Sequence, residues 1–187
     1  MKTAIQQTSS GFARIIQGTT APEPIPWQVQ LCKGRPSFGY STFCGGTIID
    51  ANTILTAAHC FDGKDIDADD YFVYAGAVPF HDRTVFAQNV YAKPKSIIIH
   101  ESYCNKACAA KGGEKDNNDI AIIKLKTPLI FDDKVQPACL PDAFFKPEGI
   151  SVGSGWGFVS QTSPKEGKYP ENLQVCINQK YPLCGYS

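Results

Sequence analysis

Short apolar segments alternate with turn residues along this chain, and no long segment keeps the period of a helix. The segments are rich in β-branched and aromatic residues, with Gly, Pro, Asn and Asp between them, which is typical of a closed or sandwiched all-β domain. The predicted strands are WQVQL (27–31), GGTIID (45–50), NTILTAAH (52–59), YFVYAG (71–76), TVFAQNVYA (84–92), SIIIH (96–100) and DIAIIKL (119–125). Because SIIIH and DIAIIKL are apolar at successive positions, both faces of these two strands are predicted to be covered.

A proline-rich segment interrupts this pattern. Residues 126–148 carry four prolines and no clear period, so they are predicted to be a linker that runs over the surface. Only two strands are predicted after it, ISVGSGWGFV (150–159) and NLQVCIN (172–178). The first part of the chain therefore has enough predicted strands for a whole barrel, and the second part has only the first strands of another.

Composition and charge exclude several classes of protein. The 187 residues are 43% hydrophobic and 19% charged, so the chain can bury a core and is not of the disordered class. Lys plus Arg balance Asp plus Glu at 18 each, which does not favour nucleic acid or an acidic membrane surface as a partner. No segment approaches the roughly 20 apolar residues of a membrane span. We therefore predict no nucleic-acid partner and no membrane partner.

Eight cysteines point to an oxidising compartment. Cytosolic proteins use thiols sparingly, and an even count fits a disulfide framework, so a secreted location is predicted. Residues 1–14 contain no apolar run long enough for a signal peptide, so the signal itself is not visible in this chain. The alternative, a redox or metal protein, would require most of these cysteines to be free thiols.

One of the three histidines stands out by its context. His59 lies in LTAAHC, after an apolar run and beside Cys60, which could pin this loop by pairing with Cys44. Imidazole can act as an acid or a base near neutral pH. His81 lies in a polar turn and His100 ends a strand, so both are interpreted as surface or structural residues.

Asp119 precedes the apolar strand of NNDIAIIKL, which is an unusual place for a carboxylate. It could close the preceding turn, or it could accept a hydrogen bond from the ring of His59 and stabilise the imidazolium. The local sequence does not decide between these roles.

Other candidate sites have weaker patterns. Cys104 and Cys108 with His100 could suggest zinc, but no second ligand pair has suitable spacing. DIDADD (65–70) resembles the start of a calcium loop but lacks the central Gly and the closing Glu. Ser154 in VGSGWG lacks the first Gly of a nucleophile elbow. We predict no metal and no cofactor.

Five segments together resemble the chymotrypsin-like serine peptidases of family S1, over residues 15 to about 180. They are IIQGTTAPEPIPWQVQL, FCGGTIIDANTILTAAHC, NNDIAIIKL, PACLP and GSGWG, in the order of that family. The resemblance implies two six-stranded antiparallel β-barrels with the active site between them. The expected organisation is a leader or activation peptide (1–14), a complete first barrel (15–128), a linker (129–148) and the start of an incomplete second barrel (149–187).

The same resemblance implies roles for individual residues. His59 matches the general base, Asp119 the carboxylate that orients it, and Cys44 and Cys60 the disulfide that steadies the histidine loop. Cleavage between Arg14 and Ile15 would activate a zymogen. The implied partners are polypeptide substrates, an activating protease and protease inhibitors, and no cofactor is implied.

The nucleophile of this family lies in a GDSGG motif in the second barrel. The serines after Gly149 are Ser151, Ser154, Ser160, Ser163 and Ser187, and none of them has that context. The 187 residues end before the motif would be reached. The expectation is therefore an inactive fragment of a serine endopeptidase. The alternative is a non-catalytic protease homologue that serves as a binding module, although retention of His59 and Asp119 argues against it.

The other cysteines stay open at this point. The family often bridges the cysteine at Cys139 to the activation peptide, but residues 1–14 contain no cysteine. A local bridge between Cys104 and Cys108 is one option. The pairing of Cys32, Cys176 and Cys184 is left unassigned.

Overall fold

The computed structural model describes residues 18–35, 39–64, 71–77, 88–146, 150–157 and 170–179, and the chain divides into two compact units. The first unit lies within residues 26–77 and 83–140, and the described part of the second covers 18–25, 141–146, 150–157 and 170–179. The strands are β1 (Thr19–Thr20), β2 (Gln28–Arg35), β3 (Gly39–Asp50), β4 (Thr53–Thr56), β5 (Tyr71–Ala75), β6 (Gln88–Ile99), β7 (Ala121–Leu125), β8 (Ile150–Gly155) and β9 (Gln174–Gln179). Among the described residues, no helix has the length and hydrophobicity that a membrane crossing requires.

The first unit is a closed six-stranded barrel with the strand order β2-β3-β4-β7-β6-β5. Every pair is antiparallel, and β2 closes the barrel by pairing with both β3 and β5. Closure leaves no unpaired strand edge. Alternate residues of each strand point inward, so that Val29 and Leu31 of β2 pack with Ile54 of β4 and Ile123 of β7 in one core. The prediction of an all-β protein with a complete first barrel is confirmed.

Gly46, in the FCGGT segment of β3, is required by a close approach between strands. A Cβ at this position would lie 2.7 Å from Cγ2 of Ile54 and 3.1 Å from Cγ2 of Val29. A side chain here would push apart the packed interior of the barrel.

Two strand predictions need correction. The strand predicted over NTILTAAH ends at Thr56, and Ala58–Phe61 form a 3₁₀ helix instead. TVFAQNVYA and SIIIH belong to one long strand, β6, whose pairing with β7 shifts register between Ala92 and Ile97, while residues 84–87 lie outside the described part. The irregularity falls between the two predicted segments.

The prediction that both faces of SIIIH and DIAIIKL are covered is wrong. In β6 Ile97 is buried but Ile98 is 52% exposed, and Ile120 at the entrance to β7 is 42% exposed. In these two strands the face that points away from the barrel interior is not fully covered, so its apolar residues stay partly at the surface.

The predicted linker does not run only over the surface. Leu129 and Val135 are buried in the core of the first unit. The backbone N–H of Leu129 donates to the carbonyl of Ala51 at 2.7 Å, and that of Ala138 donates to Ile48 at 2.8 Å. This segment is therefore attached to the barrel as far as Ala138.

The second unit contains a three-stranded antiparallel sheet with the order β1-β9-β8. Ala21, Trp156 and Leu173 form its buried cluster. Val152 and Ile177, which are opposite each other in β8 and β9, are 64% and 59% exposed. The described part of this unit is an open sheet, as expected for an incomplete second barrel; β1 was not predicted.

Cys32 in β2 is a buried free thiol, whereas Cys139 is free and exposed. Burial raises the pKa of Cys32 to about 11, and the Thr42 hydroxyl opposes this shift only partly. At pH 8 such a thiol is ionised to roughly one part in a thousand, and only the thiolate is alkylated. We expect iodoacetamide to modify Cys139 and to leave Cys32 unmodified until the protein is unfolded.

Peptide mass spectrometry after native and denatured alkylation measures this difference.

Because the pKa of Cys32 is raised in the folded state, its protonated form stabilises the fold fully below pH 9, and that stability is lost as the pH rises towards 11. A Cys32→Ala variant should lack this alkaline loss. Equal native labelling of the two cysteines would contradict the expected burial.

Candidate active site

His59 lies in the 3₁₀ helix that follows β4. The next residue, Cys60, is buried and is joined by a disulfide to Cys44 of β3. The backbone N–H of Asp62 donates to the carbonyl of His59 at 3.1 Å, and Lys64 Nζ donates to the carbonyl of Cys60 at 2.6 Å. Strand β4 therefore holds the backbone before His59, and the disulfide and these two hydrogen bonds hold the backbone after it.

Asp119 lies two residues before the start of β7, at the end of the loop that follows β6. Two residues of this loop, Asp116 and Asn118, have positive φ angles of 61° and 56°. Asp and Asn tolerate this left-handed region better than other residues with side chains. The N–H of Ile120 donates to the carbonyl of Asn118 at 2.8 Å, and that of His100 donates to Ile120 at 3.1 Å. This tight turn fixes the direction of the Asp119 side chain.

Both oxygens of the Asp119 carboxylate contact His59. Oδ2 lies 2.7 Å from Nδ1 of the ring, and Oδ1 accepts a hydrogen bond from the backbone N–H of His59 at 2.8 Å. Because a carboxylate only accepts hydrogen bonds, the proton of the neutral ring is assigned to Nδ1. The other nitrogen, Nε2, is then an acceptor, and it has no hydrogen-bond partner among the described residues.

The exposure of the pair suits proton transfer. The side chain of Asp119 is 15% exposed and that of His59 is 36% exposed. The carboxylate is thus largely shielded from water while the ring remains accessible. A partly buried carboxylate stabilises an adjacent imidazolium more strongly than an exposed one.

A metal does not fit these residues. Ligand atoms of Cys44, His59 and Cys60 lie within 4.8 Å of one another, but the two sulfurs are bonded to each other and supply no thiolate. Cys104 and Cys108 also form a disulfide, which removes the ligand pair considered with His100. The DIDADD segment lies outside the described residues.

The remaining candidate residues that the structure describes lie on other segments of the chain than His59 and Asp119. His100 is exposed, and its Nδ1 accepts a hydrogen bond from the backbone N–H of Ser102 at 3.1 Å. Ser154 lies in β8 of the second unit, and Cys176 of β9 is disulfide-bonded. Arg14, Ile15, His81, Ser160, Ser163, Cys184 and Ser187 lie outside the described residues.

The sequence pattern missed a second contact between the two segments of the site. The hydroxyl of Tyr103 donates to Oδ2 of Asp62 at 3.0 Å. Burial, this hydrogen bond and the neighbouring charges of Asp62, Asp119 and Asp116 all raise the pKa of Tyr103. No local signal in the sequence pairs two residues 41 positions apart.

Comparison with known proteins identifies the family. The family model described as Trypsin matches residues 15–180. This chain therefore belongs to the trypsin family, the chymotrypsin-like serine peptidases of family S1.

Three curated relatives give the degree of similarity. The chain is 34% identical over 162 residues to the venom peptide isomerase heavy chain of Agelenopsis aperta, covering 86% of this chain and 60% of that protein. It is 34% identical over 154 residues to U21-ctenitoxin-Pn1a of Phoneutria nigriventer, covering 80% and 58%. It is 31% identical over 166 residues to transmembrane protease serine 11G of Mus musculus, covering 87% and 34%. The chain thus spans at most 60% of the length of these three relatives.

Proposed function

We propose that His59 is the general base, and Asp119 the carboxylate that orients it, in a serine-type endopeptidase. The observation that carries this proposal is the double contact of Asp119, with one oxygen on the ring Nδ1 and the other on the backbone N–H of the same histidine. This contact fixes both the tautomer and the direction of the ring, which are the two properties that a catalytic histidine needs. Membership of the trypsin family supports the same reaction class.

In this reaction Nε2 of His59 accepts the proton of a serine hydroxyl as its oxygen attacks a peptide carbonyl. The imidazolium that forms is stabilised by Asp119, and it then protonates the leaving amine. Hydrolysis of the acyl-enzyme repeats the two proton transfers with water as the nucleophile. Each step uses one ring nitrogen for the proton in transit and the other for the bond to Asp119.

The nucleophilic serine of this proposal is not among the 187 residues, since no serine has a GDSGG context. We therefore propose that these 187 residues are inactive alone. As further parts of the proposal, residues 1–14 are a leader or activation peptide, cleavage at Arg14–Ile15 activates the zymogen, and residues 15–128 and 149–187 contribute to two barrels joined by 129–148. Polypeptides are the proposed substrates, with an activating protease and protease inhibitors as partners.

Secretion is the proposed location. The disulfides Cys44–Cys60 and Cys104–Cys108 support it, because such bonds persist in oxidising compartments. They also argue against the redox or metal protein, which would need these thiols to be free.

A second candidate is suggested by the name of one relative, the venom peptide isomerase heavy chain. A base such as His59 could take the Cα proton of a peptide residue and allow a proton to return on the opposite face. No peptide bond would be broken. Incorporation of solvent deuterium at Cα without the appearance of new peptide termini would identify this reaction.

A fluorophosphonate probe, which bonds to an activated serine, tests the proposal. The recombinant 187-residue chain should not be labelled. The protein purified from its native source, with its ends determined by mass spectrometry, should be labelled at one serine after cleavage following Arg14. A recombinant protein with the same ends as the native one should also be labelled, and its His59→Ala variant should not be.

Labelling of the 187-residue chain would overturn the assignment of an absent nucleophile. A native protein without a labelled serine and without peptide hydrolysis would instead favour the non-catalytic binding module. Serine labelling independent of His59 would remove the base from the mechanism.

A further inference from the structure

We propose that Tyr103 is a positioning residue for the His59–Asp119 pair. Through its hydrogen bond to Asp62, it ties the segment that carries His59 to the loop that carries Asp119. This structural link between Tyr103 and Asp62 does not depend on any catalytic activity. Its consequence for catalysis rests on the proposed function.

The acceptor of this bond is part of the His59 segment. Asp62 caps the 3₁₀ helix Ala58–Phe61, and its backbone N–H donates to the carbonyl of His59 at 3.1 Å. A displacement of Asp62 is therefore transmitted to the carbonyl of His59 by one hydrogen bond. On the opposite side of His59 the chain enters the barrel at β4.

The donor of the bond belongs to the Asp119 loop. The backbone N–H of Tyr103 donates to the carbonyl of His100, and the ring of Tyr103 packs against the barrel core. The next residue, Cys104, exchanges backbone bonds with the other side of the loop: its N–H donates to Asn117 at 2.9 Å, and its carbonyl accepts from Asp116 at 2.8 Å. Tyr103 is thus fixed in the same framework that ends at Asp119.

A second set of contacts makes this framework stiff. Cys104 is joined to Cys108 by a disulfide, and Asn105 accepts hydrogen bonds at its side chain from the N–H groups of Ala107 and Cys108. Asn118 Nδ2 donates to the carbonyl of Ser102 at 3.0 Å, directly beside Tyr103. The disulfide and these hydrogen bonds restrict the backbone of the loop, so the hydroxyl of Tyr103 is held in position to donate to Asp62.

Electrostatics keep Tyr103 a donor. The phenol of Tyr103 is protonated across the neutral range at the ordinary pKa of tyrosine, and burial, the hydrogen bond to Asp62 and the charges of Asp62, Asp119 and Asp116 raise that pKa further. A neutral donor facing a carboxylate makes a charge-assisted hydrogen bond, which is stronger than a neutral pair. The hydrogen bond between Tyr103 and Asp62 thereby adds a third side-chain link to the two that Asp119 makes with His59.

The expected role is local. Without the hydroxyl, the Cys44–Cys60 disulfide and the barrel core remain, so the fold should persist. The His59–Asp119 contacts and the pairing of β4 with β7, which ends at Thr56 and Ala121, would still join the two segments, but the bond between Nδ1 and Oδ2 should open more often without the neighbouring hydrogen bond. Opening exposes the Nδ1 proton of His59 to water.

The test follows the exchange of that proton with water by NMR in the 187-residue chain. Tyr103→Phe keeps the ring and its packing but removes the donor, and Asp62→Ala removes the acceptor. Each is expected to speed exchange of the Nδ1 proton roughly tenfold. The double variant should be no faster than either single variant, because both remove the same bond.

Two further variants separate positioning from general loss of structure. Asp62→Asn keeps an acceptor oxygen but loses its charge, so exchange of the Nδ1 proton should lie between that of the unchanged chain and that of Asp62→Ala. Asp133→Ala removes an exposed carboxylate elsewhere on the first unit and should have no effect. Exchange of the backbone amide of Val73, which is in the barrel core, reports whether the whole fold has loosened.

Unchanged Nδ1 exchange in Tyr103→Phe would overturn the proposal. So would equal acceleration at Val73, or additive effects in the double variant. None of these readings depends on a nucleophile, so failure of the fluorophosphonate test would leave them intact. Conversely, loss of this proposal would not remove His59 and Asp119 from the proposed catalytic pair.

Discussion

Replacing Asp119 by Asn is expected to lower kcat about 10⁴-fold in the catalytically complete protein, while the barrel stays folded. The structure supplies a specific reason. Oδ1 of Asp119 accepts a hydrogen bond from the backbone N–H of His59, and a carboxamide can keep this bond only by placing its oxygen there. Its NH₂ group would then face Nδ1 of the ring, where Oδ2 now lies. The ring would have to carry its proton on Nε2 and could no longer act as a base.

The measurement compares kcat and KM of the two forms on one peptide substrate, with the far-ultraviolet circular dichroism of each. The control is Asp116→Asn, which removes a carboxylate from the same loop at a residue whose positive φ suits asparagine. This control should retain most of the activity. If Asp119→Asn kept more than a tenth of kcat, or if the control lost as much, the assignment of Asp119 would be wrong.

The existence of most strands of the first barrel could be predicted from the sequence because the evidence for each strand is local. The alternating apolar residues of β2 and the short apolar run of β4, with glycine and asparagine between the strands, identify these strands without any knowledge of their partners. The outward residues were harder to assign. Ile98 and Ile120 look like buried residues in sequence, and only closure of the barrel decides that they lie on its outer face.

The 3₁₀ helix at His59 was predicted as strand for a physical reason. The run LTAAH has no proline or glycine to end the strand, and the turn is imposed by tertiary bonds instead. Cys60 is fixed to Cys44, and the backbone N–H of His59 is held by Asp119 from 60 positions away. Neither constraint is visible to a pattern that considers only neighbours in sequence.

The same distinction applies to the site. Motifs were sufficient to single out His59 and Asp119. Their pairing, however, was predicted from the family resemblance and not from the local pattern. Tyr103 and Asp62 have no motif, since their contact depends on the path of the loop between β6 and β7. The disulfide Cys104–Cys108, four positions apart, shapes that path and remained one option among several in the sequence.

Removing the Cys44–Cys60 disulfide, by changing both cysteines to alanine, is expected to lower the free energy of unfolding by about 3 kcal/mol. The two residues are 16 positions apart, and the bond limits the unfolded chain over the whole of that loop. Cys104 and Cys108 are only 4 positions apart, so removal of their bond should cost about 2 kcal/mol by the same relation. Cys60 is also buried, so its loss leaves a small void beside His59.

Urea unfolding of the two double variants and the unchanged chain measures both quantities, with the slope of the transition as a check on the unfolded state. The Cys104→Ala, Cys108→Ala pair is the matched control, because it removes the same number of sulfur atoms from the same unit. The two variants should also differ at His59. Loss of Cys44–Cys60 releases the residue next to the imidazole, so exchange of the His59 Nδ1 proton should rise more than the loss of global stability alone accounts for. A larger loss of stability in the control would mean that the loop before β7, and not the wall at β3, is the main constraint on the first unit.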